Sequence, residues 1–311
     1  MNLRLIVAGL VMAACSILHA ADSKELLGDP KPLVGAVPKP KLNQAAMDKL
    51  GLQLGCQAYT FREMSLFETI DVLHYLGIHN VELFPNQAFS KEKPKVHTDH
   101  NMSPELIAEL IAKLKAADVK AVSYGVYKLD GVEAKDRPVF EWARKVGIKT
   151  IVSEPKVDKG VFDVIENLAK EYDINVAMHD HPKPSTYWDP KTVLQVCEGR
   201  SKLLGSCADV GHWVRSGLVP VECIKMLKGR VIEGHLKDVK PAGAAGKFED
   251  TIWGTGVADA KGIMAELQRQ GAKGVIFNIE YESSHGTELV ANVAKCCENF
   301  SKFAEELTAG K

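Results

Sequence analysis

From about residue 52 onward the chain alternates between short apolar runs and longer amphipathic stretches, with polar loops between them. The short runs are strand candidates, because apolar segments of this length bounded by turn residues suit buried parallel strands. They fall at 53–60, 79–85, 120–127, 150–155, 174–181, 203–209, 231–238 and 274–282. Helical patterns lie between them at 103–117, 138–147, 160–172, 190–199, 220–228 and 258–271. Ser103-Pro104-Glu105 is a helix start signal, and Gly77, Gly147, Gly229 and Gly271 stand where helices stop ahead of the next strand. Eight strand–helix units in this span fit a single-domain (β/α)8 TIM barrel over residues 50–308. A doubly wound open sheet is the alternative, but no GxGxxG follows the first strand.

The N-terminal pattern differs. MNLR gives a basic start, Leu5 to Leu18 is apolar, and Ala20 and Ala21 follow. The run is too short to span a bilayer and has the layout of a secretory signal peptide, assigned to residues 1–20. The mature chain is therefore expected to be exported, to the periplasm, without a membrane span. A lipoprotein signal around Cys15 fits less well, because Ser16-Ile17-Leu18 continue the apolar run. Residues 21–49 are rich in Pro, Lys and Gly and read as an extended arm or linker.

Composition changes the picture in one respect. A formal net charge of -1 over 311 residues gives no electrostatic footprint for nucleic acid. Beyond the signal segment there are six cysteines with no CxxC pair, so neither a zinc ribbon nor a thioredoxin-like site is expected.

The chemistry lies at the strand ends. Side chains alternate along a strand, so one face of each run points into the barrel. Glu154, His179 and His181, Asp209, Glu233, His235 and Lys237, and Asn278, Glu280 and Glu282 all fall on inner faces, whereas Ile232 and Leu236 fall outward. Burying so many ionisable groups without partners is prohibitively costly. A bound cation resolves this, and mixed imidazole and carboxylate donors suit one divalent ion such as Mn, Co, Zn or Fe.

Asp209-Val210-Gly211-His212, the run His235-Leu236-Lys237-Asp238 and the ending Ile279-Glu280-Tyr281-Glu282 resemble the xylose isomerase-like TIM-barrel superfamily. Within it the likeness is to the sugar phosphate isomerase/epimerase group, and it covers about residues 50 to 308. The resemblance implies a metal held by the fifth to eighth strands, here through His179, Asp209, His235 and Glu280. His179 departs from the pattern, because sugar epimerases usually carry Glu there and use it as one of two opposed bases. Glu154 could replace the missing carboxylate as ligand or base, and His181 could substitute for His179.

The resemblance implies proton abstraction next to a sugar carbonyl through a metal-stabilised enediolate. Glu154 and Glu280 are the base candidates, His181 is a further catalytic candidate, and Lys237 would steady the developing oxyanion unless it serves as a salt-bridge partner of Glu233 or Glu282. Tyr59, His212, Trp213, Arg215 and Glu282 are expected to shape the sugar pocket. Returning the proton gives an isomerase or epimerase, whereas expelling a β-substituent gives a lyase or hydratase on a 3-keto-glycoside or other oxidised sugar. A non-catalytic carbohydrate-binding barrel is a third reading, disfavoured because binding needs no convergent acid and base groups. Endonuclease IV-type repair enzymes share the fold and an Asp-x-x-His, but need histidines where this chain has Glu82-Leu83-Phe84-Pro85 and Ser123-Tyr124-Gly125. The oligomeric state has no sequence signature.

Overall fold

The computed structural model describes residues 26–243 and 246–310, so the expected signal segment at 1–20 lies outside the described residues. The strands are β1 (Gln53–Gln57), β2 (Asn80–Leu83), β3 (Lys120–Tyr124), β4 (Thr150–Ser153), β5 (Asn175–His179), β6 (Leu204–Asp209), β7 (Val231–Leu236) and β8 (Ile276–Ile279). All eight pair in parallel with their neighbours, and β8 pairs with β1 through Gly55↔Asn278 and Cys56↔Ile279, which closes the barrel. Closure leaves no exposed sheet edge, and it gathers the strand C-termini into one rim where side chains from distant parts of the sequence meet.

Helices follow each strand and cover the barrel. After β1 a single 3-10 turn, Ala58–Phe61, leads into Leu66–Leu76, which opens with a reciprocal cap between Ser65 and Glu68. Pro104–Ala116 starts at Ser103 as its sequence signal indicates. Gly77 and Gly147 end their helices at positive φ, a conformation that needs no side chain. The last helix, Gly286–Thr308, is longer than the rest and lies outside the helical segments read from the sequence. Its apolar face buries Val290, Val293, Cys297 and Phe300.

Residues 26–49 are not extended throughout. Two short helices, Lys31–Val34 and Gln44–Leu50, occupy part of the stretch and bury Val34, Met47 and Leu50. Pro32 is compatible with the first because proline is tolerated in an opening turn, and the second is capped where the Asn43 side chain accepts from Ala46 N at 3.1 Å. Asn43 N also donates to Ser301 Oγ of the last helix at 2.7 Å, and Lys113 Nζ donates to the Leu26 carbonyl at 2.8 Å. These contacts dock the segment on the barrel.

Inside the barrel, Val152, Ala177 and Cys207 form a small apolar patch separate from the main core between sheet and helices. Ile232, expected outward, packs against that patch. The register explains it: Ser206 pairs with Val231 and Cys207 with Glu233, so β7 carries an extra residue at 232 and its alternation is broken there. All six cysteines among the described residues are buried and unpaired. No helix among the described residues is long and apolar enough to cross a membrane.

Candidate metal centre and cavity

Each site residue sits where a strand gives way to a loop. His179 and Asp209 are the last residues of β5 and β6, His235 is next to last in β7, and Glu280 follows β8 directly. One ligand atom from each of these four lies within 4.8 Å of the others. His235 Nδ1 is 2.9 Å from Glu280 Oε2 and 3.8 Å from Asp209 Oδ2, and His179 Nε2 is 3.6 Å from the same Asp209 oxygen. All four residues are buried.

Asp209 Oδ2, His235 Nδ1 and Glu280 Oε2 accept or donate no hydrogen bond of proper geometry. Buried polar atoms are almost always satisfied; here Lys237 ion-pairs with the two carboxylate oxygens, which leaves this group of atoms open to a further shared partner. Charge points the same way. The carboxylates of Asp209, Glu280 and Glu282 surround a single ammonium, Lys237 Nζ, at 3.2, 2.9 and 2.7 Å. That excess of negative charge and the mixed N/O donor set fit a divalent transition ion. His179, Asp209, His235 and Glu280 are the residues that would hold it.

The protonation states suit this. Burial alone would raise the Asp209 carboxyl, but the neighbouring His212, Lys237 and His179 hold it well below its ordinary value. Burial likewise opposes ionisation of Glu280, and Lys237 and His235 outweigh it. Lys237 resists the neutralising effect of burial because its three carboxylates raise it well above the usual lysine value. At two other buried carboxyls the balance reverses. Burial and the charge of Glu82 push Glu233 far up, and burial with Asp209 does the same to Asp180. Asp180 Oδ1 accepts from the backbone N of Asp209 at 2.8 Å and so fixes the turn that presents the ligand.

Glu82 was not a site candidate in the sequence. It is sealed from solvent, with Oε2 2.7 Å from His235 Nε2 and 2.9 Å from Asn278 Nδ2. By engaging Nε2, it leaves Nδ1 of His235 as the ring nitrogen facing Asp209 and Glu280. Carboxylates that orient a metal-ligating imidazole in this manner also raise its basicity. Its alternation with Val81 and Leu83 carried the signal, since Glu82 is the acidic residue on the inner face of β2.

Glu154 anchors a second cluster. Its Oε1 lies 2.9 Å from His179 Nδ1 and also bonds His181 Nδ1 and the His181 backbone N. Burial would raise this carboxyl, but the bonds from His179 and His181 lower it to about 2. Glu154 therefore does not stand free as a base, as the sequence had allowed; it orients two rings. The bond at Nδ1 leaves His179 with Nε2 toward Asp209 and leaves His181, whose side chain is half exposed, with Nε2 as its remaining nitrogen.

These groups line a cavity of about 470 Å³ at the barrel mouth. Its lining combines His179, His181, His212, His235, Lys237, Glu280 and Glu282 from the later strands with Gln57, Tyr59, Phe84, Pro85, Asn86 and Val126 from the first three. Tyr59, His212 and Glu282 are thus in the cavity as expected. Burial and the repulsion of neighbouring cations, partly offset by Asp209, lower the His212 imidazole to about 3. Trp213 and Arg215 do not line the cavity, a correction to the sequence reading. Val210–Arg215 is a helix, so Trp213 is turned about 100° from His212 and lies 1% exposed in the core. Arg215, one turn on, stands behind His212 with Nη1 3.2 Å from its Nδ1 and Nη2 2.7 Å from Asp250 Oδ1. Gly211 allows this helix to approach β7, because a Cβ there would lie 2.6 Å from Cβ of Lys237.

Residues 70–300 match the family model for the xylose isomerase-like TIM barrel. Comparison with curated protein sequences returns no match. Among solved structures, an uncharacterised protein from Parabacteroides distasonis is 31% identical with a TM-score of 0.64, covering 82% of this chain and 99% of its own. The IOLI protein, solved with a zinc atom bound, has 15% identity and a TM-score of 0.61, covering 83% and 99%. A probable 3-DHS dehydratase from Bacillus anthracis has 15% identity and a TM-score of 0.58, covering 80% and 97%. The closed eight-stranded barrel and the match over most of its length agree: the chain belongs to the xylose isomerase-like TIM barrel family.

Proposed function

We propose that the protein is a divalent-metal-dependent sugar isomerase or epimerase that moves a proton at the carbon next to a carbonyl. The observation that carries this reading is the convergence of Asp209, His235 and Glu280 atoms that lack hydrogen bonds beside a hydrogen-bonded Glu154–His181 pair, with His181, His235 and Glu280 lining one cavity. When bound, the ion supplies Lewis-acid polarisation of the carbonyl oxygen. His181, with Nδ1 tied to Glu154, accepts the α-proton at Nε2, and the Glu154 carboxylate stabilises the imidazolium that results. Lys237, held charged by its carboxylates, steadies the oxygen on which negative charge grows. Return of the proton by His181 to the neighbouring carbon, with the hydroxyl proton passing to the former carbonyl oxygen, completes an aldose–ketose exchange. One base acting on one face supports isomerisation over a two-base epimerisation, since His179 stands where the second glutamate would be.

A lyase or hydratase reading is favoured by the same substitution, because elimination needs one base and an acid for the leaving group. The fold likeness to a probable dehydratase is consistent with it. Incubation of metal-loaded protein with candidate ketoses, aldoses and 3-keto-glycosides in deuterated water tests both. Deuterium incorporation with an isomeric product supports isomerase, incorporation with loss of a substituent supports lyase, and no incorporation into any of them refutes proton abstraction. For localisation we propose export to the periplasm, and detection of the mature chain with its N-terminus near residue 21 in that compartment tests it.

A further inference from the structure

We propose, building on the reading of the cavity as a sugar site, that its substrate class is uncharged carbohydrate bearing an apolar substituent, and that phosphorylated sugars are rejected. Among the described residues Lys237 is the sole lysine or arginine lining the cavity, and it is already committed to three carboxylates within 3.2 Å. Two arginines on adjoining segments are committed as well. Arg62 lies 5.1 Å over the Tyr59 ring and donates to the Glu282 carbonyl at 3.3 Å, and Arg215 pairs with Asp250 at 2.7 Å. Neither lines the cavity.

The adjoining helix N-terminus offers no substitute. The helix that opens beside the cavity after Asp209 is capped by that residue's own carboxylate, which accepts from His212 N at 3.0 Å. A phosphate dianion entering here would meet Glu280 and Glu282, and the one ammonium facing it, Lys237, is already outnumbered by three carboxylates; a charge taken from water with so little compensation is strongly disfavoured.

One wall is made for apolar contact. The Tyr59 and Phe84 rings meet edge to face at 5.3 Å, and Tyr59 keeps 38% of its surface exposed. With Pro85 and Val126 they give the cavity its apolar lining at the ends of the first three strands, beside the polar Gln57 and Asn86. A sugar set on the polar groups would lay an attached flat ring or alkyl group on this wall, where aromatic contacts are most favourable.

Calorimetric titration of the metal-loaded protein with methyl β-glucoside, phenyl β-glucoside and glucose 6-phosphate tests the proposal by binding alone. Phenyl β-glucoside is expected to bind about tenfold more tightly than the methyl glycoside, and glucose 6-phosphate about tenfold more weakly. Tyr59→Ala should abolish the phenyl preference, and Glu282→Gln, which removes one negative charge from the cavity and leaves Lys237 with two carboxylates instead of three, should raise affinity for the phosphate. Equal or tighter binding of glucose 6-phosphate by the wild type, or no binding of any probe, overturns the proposal. If the preference holds while no sugar takes up deuterium, the isomerase reading fails and this inference stands. If deuterium is taken up but the preference is absent, the reverse is true.

Discussion

Glu82 Oε2 lies 2.7 Å from Nε2 of His235, and both side chains are closed off from solvent although they are separated by 153 positions in the chain. The contact turns Nδ1 of His235 toward Asp209 and Glu280. It makes a strand-two carboxylate part of a centre whose proposed ligands all come from strands five to eight.

Glu82→Gln should therefore weaken metal binding by about 10- to 100-fold, the usual effect of removing an orienting partner. Competition with a chelator of known affinity measures it. Circular dichroism establishes that the variant is folded, and unchanged metal affinity in a folded variant would remove Glu82 from the centre.

His181→Gln should lower solvent-deuterium exchange by about 10²- to 10⁴-fold, the range for loss of a positioned general base, while metal content stays as in the wild type. Glu154→Gln should reduce exchange too, and because Glu154 also orients His179 it should weaken metal binding. Parallel measurement of exchange rate and metal content separates the two residues; loss of metal in His181→Gln would make it a ligand instead.

Stripping the ion should lower the melting temperature, because a ligand bound only by the folded state stabilises it by about 2.7 kcal/mol when present at about a hundredfold over its dissociation constant. Scanning calorimetry before and after chelation, and again after adding metal back, reads this directly. The stabilisation should disappear in Asp209→Ala, whose melting temperature should not respond to the chelator.

Leu50→Ala tests the docking of the N-terminal helices. Leu50 is 1% exposed, and its truncation should cost about 2–5 kcal/mol by the usual penalty for a buried leucine. Urea unfolding checks this; a change under about 0.5 kcal/mol, the ordinary scatter of surface substitutions, would show that the segment is not part of the folded barrel.

The barrel was legible because buried parallel strands leave near-continuous apolar runs, and each of the eight expected runs contains an observed strand. The runs extend past the hydrogen-bonded ladder, so Glu154 and Glu280 were placed within strands although each stands one residue beyond. Strand periodicity also identified the convergence of His179, Asp209, His235 and Glu280. It could not identify Ile232, because a bulge shifts the alternation and leaves no mark in composition. Trp213 and Arg215 were misplaced for a different reason: the stretch after β6 was read as loop, and the helix there turns each successive side chain by about 100°. Glu82 was overlooked since its meaning comes from His235 and Asn278 across the barrel, contacts that closure alone creates. The helices at 31–34 and 44–50 were hidden by prolines and lysines that suggest an extended chain, where Pro32 in fact sits in an opening turn.

Metal content measured by elemental analysis of gently purified protein, beside Asp209→Ala and His235→Ala, tests the central claim most directly. The wild type should carry about one divalent transition ion per chain, as a single N/O donor set allows, and both folded variants should carry far less. Equal metal content in all three proteins would contradict the account.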